Sequence, residues 1–158
     1  DAQSTVTGTL TMSGDKYRFS MDGLTVVTDG AKNWVYTPDE NQVTISDYIE
    51  DDTAFSPSQF FVTQPERYNA TALGSETIAG RRHQQLRLVP KDASAAVKST
   101  TLWVRDGDNL ITRLEILDLN DTVMRFDLTD IKLNPPTTSN TFTFAIPPGA
   151  EVIDLTGL

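Results

Sequence analysis

The sequence predicts a mainly β fold, an up-and-down antiparallel meander of roughly nine to eleven short strands. Three observations carry this. Apolar and polar residues alternate with period two along most of the chain, as in strands buried on one face and wet on the other. Turn-forming residues recur between the alternating runs. Only one short stretch carries helix-start signals, so helices cannot cover a sheet of this size.

The elements follow in order. Val6, Leu10 and Met12 alternate with Thr7, Thr9 and Thr11, with Gly8 in the apolar register. After Ser13-Gly14-Asp15, the residues Tyr17, Phe19 and Met21 alternate with Lys16, Arg18 and Ser20. Asp22-Gly23 closes that hairpin. Residues 26–45 read as three strands joined by Asp29-Gly30 and by Pro38-Asp39-Glu40-Asn41. Trp34 and Tyr36 share one face of the middle strand, and Val43 and Ile45 repeat the pattern on the next. Ser56 as N-cap and Pro57 at the first helical position predict one or two turns of helix over residues 56–62. Leu86 and Leu88 alternate with Gln85 and Arg87, and residues 91–98 read as a loop. Leu102 and Val104 flank Trp103, so that strand is expected to be apolar on both sides. Beyond the turn Asp106-Gly107-Asp108-Asn109, Leu114 and Ile116 form the next apolar pair. Past Asn120-Asp121 come Met124, Phe126 and Leu128. There the apolar phase slips to Ile131 and Leu133, predicting a β-bulge near Thr129-Asp130. Phe142, Phe144 and Ile146 read as a last strand.

A length of 158 residues fits a single domain over residues 1–158 with a sizeable core. The formal net charge of −9 argues against nucleic-acid backbone binding, which needs a basic footprint. It argues equally against adsorption to anionic lipid through charge alone. The absence of cysteine excludes disulfides and thiolate metal sites. No apolar run approaches the ~20 residues of a membrane-spanning helix.

Such a sheet needs a cover. With so little helix, either it folds on itself as a packed sandwich or barrel, or it stays partly open around an apolar cavity. A cavity lined by Phe, Tyr, Trp, Leu and Met suits an acyl chain, because each buried methylene contributes ~0.8 kcal/mol. Periodicity leaves both architectures open.

The motifs narrow the choice. The run TDGAKNWVYTP at residues 28–38, followed by Asn41-Gln42-Val43, resembles the signature hairpin of the outer-membrane lipoprotein carrier (LolA-like) family. In that family a D-G-K-x-x-W-x-Y-x-P run leads into a Q-V strand. The run TFTFAIPPGAEVID at residues 141–154 resembles the family's closing F-x-F-x-x-P-x-G-x-x-V-x-D. Arg105-Asp106-Gly107 matches its usual turn between two strands. The resemblance extends over most of the chain.

The resemblance implies a curved antiparallel half-open β-barrel with one or two short lid helices. It implies a periplasmic carrier that holds lipoprotein acyl chains and shuttles them toward the outer membrane. The partners implied are an inner-membrane lipoprotein-releasing transporter and an outer-membrane acceptor, with the carrier itself a monomer and without a cofactor. The expected cavity lining is Leu10, Met12, Tyr17, Phe19, Met21, Trp34, Tyr36, Val43, Ile45, Leu86, Leu88, Leu114, Ile116, Met124 and Phe126. Phe60 and Phe61 are the expected lid contacts. The family's N-terminal helix and first strand find no match here, so the domain is expected to lack them. Ser13-Gly14 stands where many members carry an R-P pair. The alternative function is a protein-interaction or envelope-sensing domain on the same scaffold.

Catalysis is not expected. The one histidine, His83, has no nucleophile nearby in sequence and reads as a partly exposed residue at a strand start. Gly74-Ser75-Glu76 lacks a nucleophile elbow. Asp106-Gly107-Asp108-Asn109 could open a calcium loop, but the twelfth position is Leu117 rather than Glu. Glu50-Asp51-Asp52 reads as a solvated acidic loop.

Overall fold

The computed structural model describes residues 4–49 and 64–158. The expected helix at residues 56–62, the lid residues Phe60 and Phe61, and the acidic run 50–52 lie outside the described residues. The described chain is mainly β, as the alternation predicts, with eleven strands numbered here in chain order. It divides into two compact units, one formed by Asp1–Glu50 with Asn134–Leu158 and one by Asp51–Leu133.

The first unit holds a six-stranded sheet. Strands β1 (Gly8–Ser13), β2 (Lys16–Met21), β3 (Leu24–Thr28), β4 (Lys32–Thr37) and β5 (Gln42–Asp47) follow one another as an antiparallel meander. Short loops leave the chain no other course. Gly8 begins β1 because a Cβ there would sit 2.5 Å from the Ser20 carbonyl oxygen of β2. A 3-10 turn, Pro38–Glu40, joins β4 to β5 and ends on Asn41 in the left-handed conformation.

The sixth strand corrects the all-antiparallel expectation. Strand β11 (Glu151–Asp154) pairs with β5 in parallel, Val152 opposite Val43. Its hydrogen bonds extend outward from the pair, Glu151 N–H to the Asn41 carbonyl (2.9 Å) and Leu155 N–H to the Ile45 carbonyl (2.7 Å). A parallel neighbour requires a long return, and residues 48–150 provide it, the last stretch being residues 134–150. Part of that return was expected to be a strand through Phe142, Phe144 and Ile146. It is irregular instead. Its carbonyls at Thr141 and Thr143 are taken by the Arg18 guanidinium rather than by a neighbouring strand.

The second unit holds a five-stranded antiparallel sheet, ordered β10-β9-β8-β7-β6. The strands are β6 (Tyr68–Ile78), β7 (Arg81–Pro90), β8 (Val97–Arg105), β9 (Ile111–Asp118) and β10 (Val123–Asp127). Strand β6 was not legible as a strand. Ala79 and Gly80 turn the chain into β7 with φ values of 49° and 76°, the two positive dihedrals of a tight hairpin. The predicted bulge near Thr129-Asp130 is instead the end of the sheet. Strand β10 stops at Asp127, Leu128 N–H reaches the Thr112 carbonyl (2.8 Å), and Asp130 adopts φ 51°. The register shifts fall elsewhere, at Leu73 in β6 and at two places between β8 and β9. In neither sheet does the strand order return on itself.

Candidate functional site

The Asp29-Gly30 turn sets the phase of β4. Asp29 Oδ1 accepts the backbone N–H groups of Ala31 (2.9 Å) and Lys32 (2.8 Å). The Lys32 N–H is the main cause that holds the Asp29 carboxyl below the ordinary carboxylate range. Thr28 Oγ1 donates to the Lys32 carbonyl (2.8 Å) and accepts the Gly30 N–H (3.2 Å). Gly30 has φ 90°, and a Cβ on it would lie 2.7 Å from the Asp15 carboxylate. No other residue fits this turn without displacing Asp15.

From that phase the register divides the first sheet into two surfaces, because residues directly opposite one another share a face. Trp34 faces Val27 and Ile45, while Tyr36 faces Thr25 and Val43. On the opposite surface, Leu10, Phe19, Val26, Val35 and Thr44 form one row across the sheet. Met12, Tyr17, Thr28, Asn33 and Ser46 form the next. Of the residues expected to line one cavity, Leu10, Met12, Tyr17, Phe19 and Met21 therefore lie on one side of the sheet. Trp34, Tyr36, Val43 and Ile45 lie on the other.

The second of these surfaces is covered by the chain itself. Phe144 packs on Tyr36, with ring centroids 5.8 Å apart. Arg18, opposite Val27 and so on the same surface, donates to the carbonyls of Thr141 (3.1 Å) and Thr143 (2.6 Å). Val27 and Val43 are fully buried there. Neither Arg18 nor Phe144 was singled out as a functional residue. The polar row's Arg18 offered the one signal, a cation in the middle of a short apolar strand.

The surface of Leu10 and Phe19 is half-buried along its length. Burial, with Tyr48 adding to it, pushes the Tyr17 phenol above its ordinary range. In the same row, Asn33 Oδ1 is closed to solvent and has no hydrogen-bond partner.

In the second unit the expected residues converge. Phe126 faces Leu114, which faces Leu102, which faces Leu86. Met124 faces Ile116, which faces Thr100, which faces Leu88. All six predicted residues share one side. Leu88, Leu102, Leu114 and Ile116 form its buried centre, with Phe126 and Tyr68 packed against them. Met124 keeps 37% of its surface exposed at the β10 edge. Leu102 was missed as a lining residue because its neighbour Trp103 obscured the alternation.

Trp103 occupies the other side, and it is not an apolar surface there. The indole Nε1–H donates to Glu76 Oε2 (2.7 Å). The Arg113 and Arg125 guanidinium carbons lie 5.5 and 5.9 Å from its ring centre. Arg113 also pairs with Asp127, and Arg125 with Glu115 (2.8 Å).

His83 is not partly exposed, as its polar neighbours in sequence suggested, but 2% exposed. Its Nδ1 lies 2.9 Å from the Arg81 carbonyl, so Nδ1 carries the proton and donates. Thr112 Oγ1 then donates to Nε2 (2.8 Å). The register shift at Trp103/Val104 brings Thr112 within reach. The Asp106-Gly107-Asp108 turn is held by arginine: Arg105 Nη2 donates to Asp108 Oδ2 (2.6 Å), and that bond chiefly lowers the Asp108 carboxyl to about 2.

A family model described as outer membrane lipoprotein carrier protein LolA matches residues 2–145. The chain belongs to the LolA family. The outer-membrane lipoprotein carrier protein of Halorhodospira halophila is 26% identical over 154 residues, covering 89% of this chain and 65% of that protein. The carrier protein of Methylobacillus flagellatus is 27% identical over 131 residues, covering 81% of this chain and 60% of that protein. The chain thus spans about two thirds or less of these LolA relatives. An uncharacterized conserved protein from Thermus thermophilus shares the fold, with a TM-score of 0.61 at 15% identity over 89% of this chain and 75% of that one. LolA membership accounts for the hairpin at residues 28–43 and the RDG turn, both of which the structure builds as strand–turn–strand.

Proposed function

We propose that this chain is a periplasmic lipoprotein carrier that binds acyl chains non-covalently on apolar sheet faces and passes lipoproteins toward the outer membrane. One observation carries the acyl-binding part. Leu86, Leu88, Leu114, Ile116, Met124 and Phe126, picked by alternation alone, fall on one side of the second sheet, and Met124 remains 37% exposed. An apolar face that runs from a closed centre to an accessible edge suits an alkyl chain. The Leu10, Phe19 and Val26 face of the first sheet is half-buried. The LolA family match supports the carrier role.

The chemistry is burial rather than catalysis. No bond is made or broken and no cofactor takes part. Each methylene contributes ~0.8 kcal/mol, so several acyl chains would be held too tightly to leave unaided. Loading from an inner-membrane transporter and unloading to an outer-membrane acceptor therefore belong to this reading, with the carrier acting as a monomer.

Titration with an acyl-chain fluorophore that brightens in apolar surroundings tests it. Saturable one-site or few-site binding is expected, and Phe19→Glu should weaken it roughly tenfold or more while circular dichroism stays unchanged, since a charge on an acyl-contacting face must be desolvated. Absence of saturable binding by the wild type overturns the proposal.

A further inference from the structure

We infer, building on the acyl-carrier reading, that the free edge of β6 takes the extended polypeptide joined to the cargo's acyl chains and adds it to the second sheet as a further strand. Strand β6 is the longest described strand, 11 residues from Tyr68 to Ile78, and the last in its sheet. Every residue between its two ends is exposed. Natural edge strands are commonly blunted by Lys, Pro or several charges. Strand β6 carries neither Lys nor Pro, and its one charge, Glu76, is engaged by Trp103 and Gln85.

The hydrogen-bond phase shows which groups this edge offers. Lys91 N–H donates to the Arg67 carbonyl (2.9 Å), directly opposite it and one step beyond the Tyr68–Pro90 pair. In an antiparallel ladder such bonded pairs alternate with unbonded ones. Asn69–Val89 and Thr71–Arg87 are therefore bonded pairs, whereas Tyr68, Ala70 and Ala72 turn their N–H and C=O groups away from β7. Strand β7 keeps the same phase, since the Arg82 carbonyl points toward β8 and accepts the Asp106 N–H (2.9 Å). The Tyr68 N–H is taken by the Pro65 carbonyl. Ala70 and Ala72 are left with an outward donor and an outward acceptor each. The bulge at Leu73 ends this regular stretch.

The same two alanines stand opposite Leu88 and Leu86, on the side that gathers Leu102, Leu114 and Ile116. Strand β6 is thus one margin of the apolar face whose other margin is Met124 on β10. A strand added to β6 would turn alternate side chains onto that face, where alanine leaves room for them. The face asks for hydrocarbon and its margin asks for main-chain amides. An acylated polypeptide has both, whereas a phospholipid or a free fatty acid has only the first. Pairing through the main chain takes its affinity from the backbone and makes little demand on side chains. That suits a carrier that accepts different polypeptides behind a common acyl group.

The test is competition against the same acyl fluorophore by two dipalmitoylated peptides with one alternating Val-Thr tail, N-methylated at the valines in one and at the threonines in the other. With valine side chains on the apolar face, valine N–H groups meet β6 and threonine N–H groups point away from it. The threonine-methylated peptide should bind about five- to tenfold more tightly, the scale of one or two hydrogen bonds, and should slow amide exchange at Ala70 and Ala72. Ala70→Pro removes an outward donor and leaves the ladder to β7 intact, so it should fold, keep its affinity for the fluorophore and lose the preference. Equal affinity of wild type for the two peptides, or unchanged exchange at Ala70 and Ala72 with peptide bound, overturns the inference but leaves the carrier reading standing. Protection confined to β1, the uncharged edge of the first sheet, also overturns it. So does protection that follows protein concentration alone, which assigns the edge to a second copy. Unfolding caused by Ala70→Pro would place that N–H in the ladder and overturn the phase. If the fluorophore itself does not bind, both readings fall together.

Discussion

The ring of Phe144 lies on that of Tyr36, centroids 5.8 Å apart and planes tilted by 42°. The two residues are far apart in sequence, yet this contact decides how the signature hairpin is used. It places the C-terminal segment against Tyr36, on the surface that Trp34 shares. Phe144→Ala is expected to destabilise the first unit by about 1–2 kcal/mol, through lost apolar area and the lost ring pair. Urea unfolding followed by Trp34 fluorescence, in a Trp103→Phe background, measures it. Acyl-probe affinity should change less than about twofold, because the opposite surface is untouched.

Trp103 depends on Glu76 for its indole N–H. Glu76→Leu should cost about 1–2 kcal/mol of second-unit stability, since a buried donor loses its partner. Surface ion pairs contribute little and are screened by salt. The destabilisation should therefore persist in high salt, and a loss that vanishes there would assign it to charge rather than to the hydrogen bond.

Acid titration should single out Asp108. Its folded value is about 2, against about 3.9 for an unfolded aspartate. A depressed carboxyl stabilises the fold above the unfolded value, and that contribution disappears as pH falls through the folded one. Carboxyl-carbon NMR should place the Asp108 inflection near 2, and Arg105→Gln should move it up toward the ordinary range.

The alkaline limb has the opposite sign. Tyr17 is raised, so the folded state holds its proton more tightly than the unfolded chain does. Its contribution is present below about 10 and is lost as pH rises through the folded value. The tyrosinate absorbance of wild type minus Tyr17→Phe should report a late-titrating phenol.

Met124→Glu probes the second sheet. Met124 sits at the accessible end of the apolar face, 37% exposed, so the charge can reach water without unfolding the protein. Acyl-probe affinity should fall several-fold with the urea midpoint nearly unchanged. An unaltered affinity would remove this edge from the binding surface.

Much of this was legible in the chain. Period-two alternation found β1 to β5 and β7 to β10, and turns rich in Gly, Asp, Asn or Pro marked most of the hairpins among them. The six residues of the second sheet fall on one face because β7, β9 and β10 keep one phase where those residues lie. Strand β6 was missed because it is an edge strand with Ala70, Ala72 and Gly74 where bulky residues would show the period. Residues 141–146 were misread because alternation describes any extended chain, whether or not a neighbour pairs with it. The burial of His83 was invisible because its partner Thr112 depends on a register shift between two other strands.

The sequence by itself determined the β class, the phase of most strands and the conformation of the Asp29-Gly30 turn. Those properties rest on contacts between residues a few positions apart, where backbone sterics and side-chain period act directly. Only the tertiary structure decided that Phe19 and Trp34 lie on opposite faces of one sheet. It also decided that Arg18 and Phe144 cover one of those faces, and that Asn33 is left without a donor on the other. Each of these depends on cross-strand register or on a return of the chain over more than a hundred residues, which local patterning does not encode.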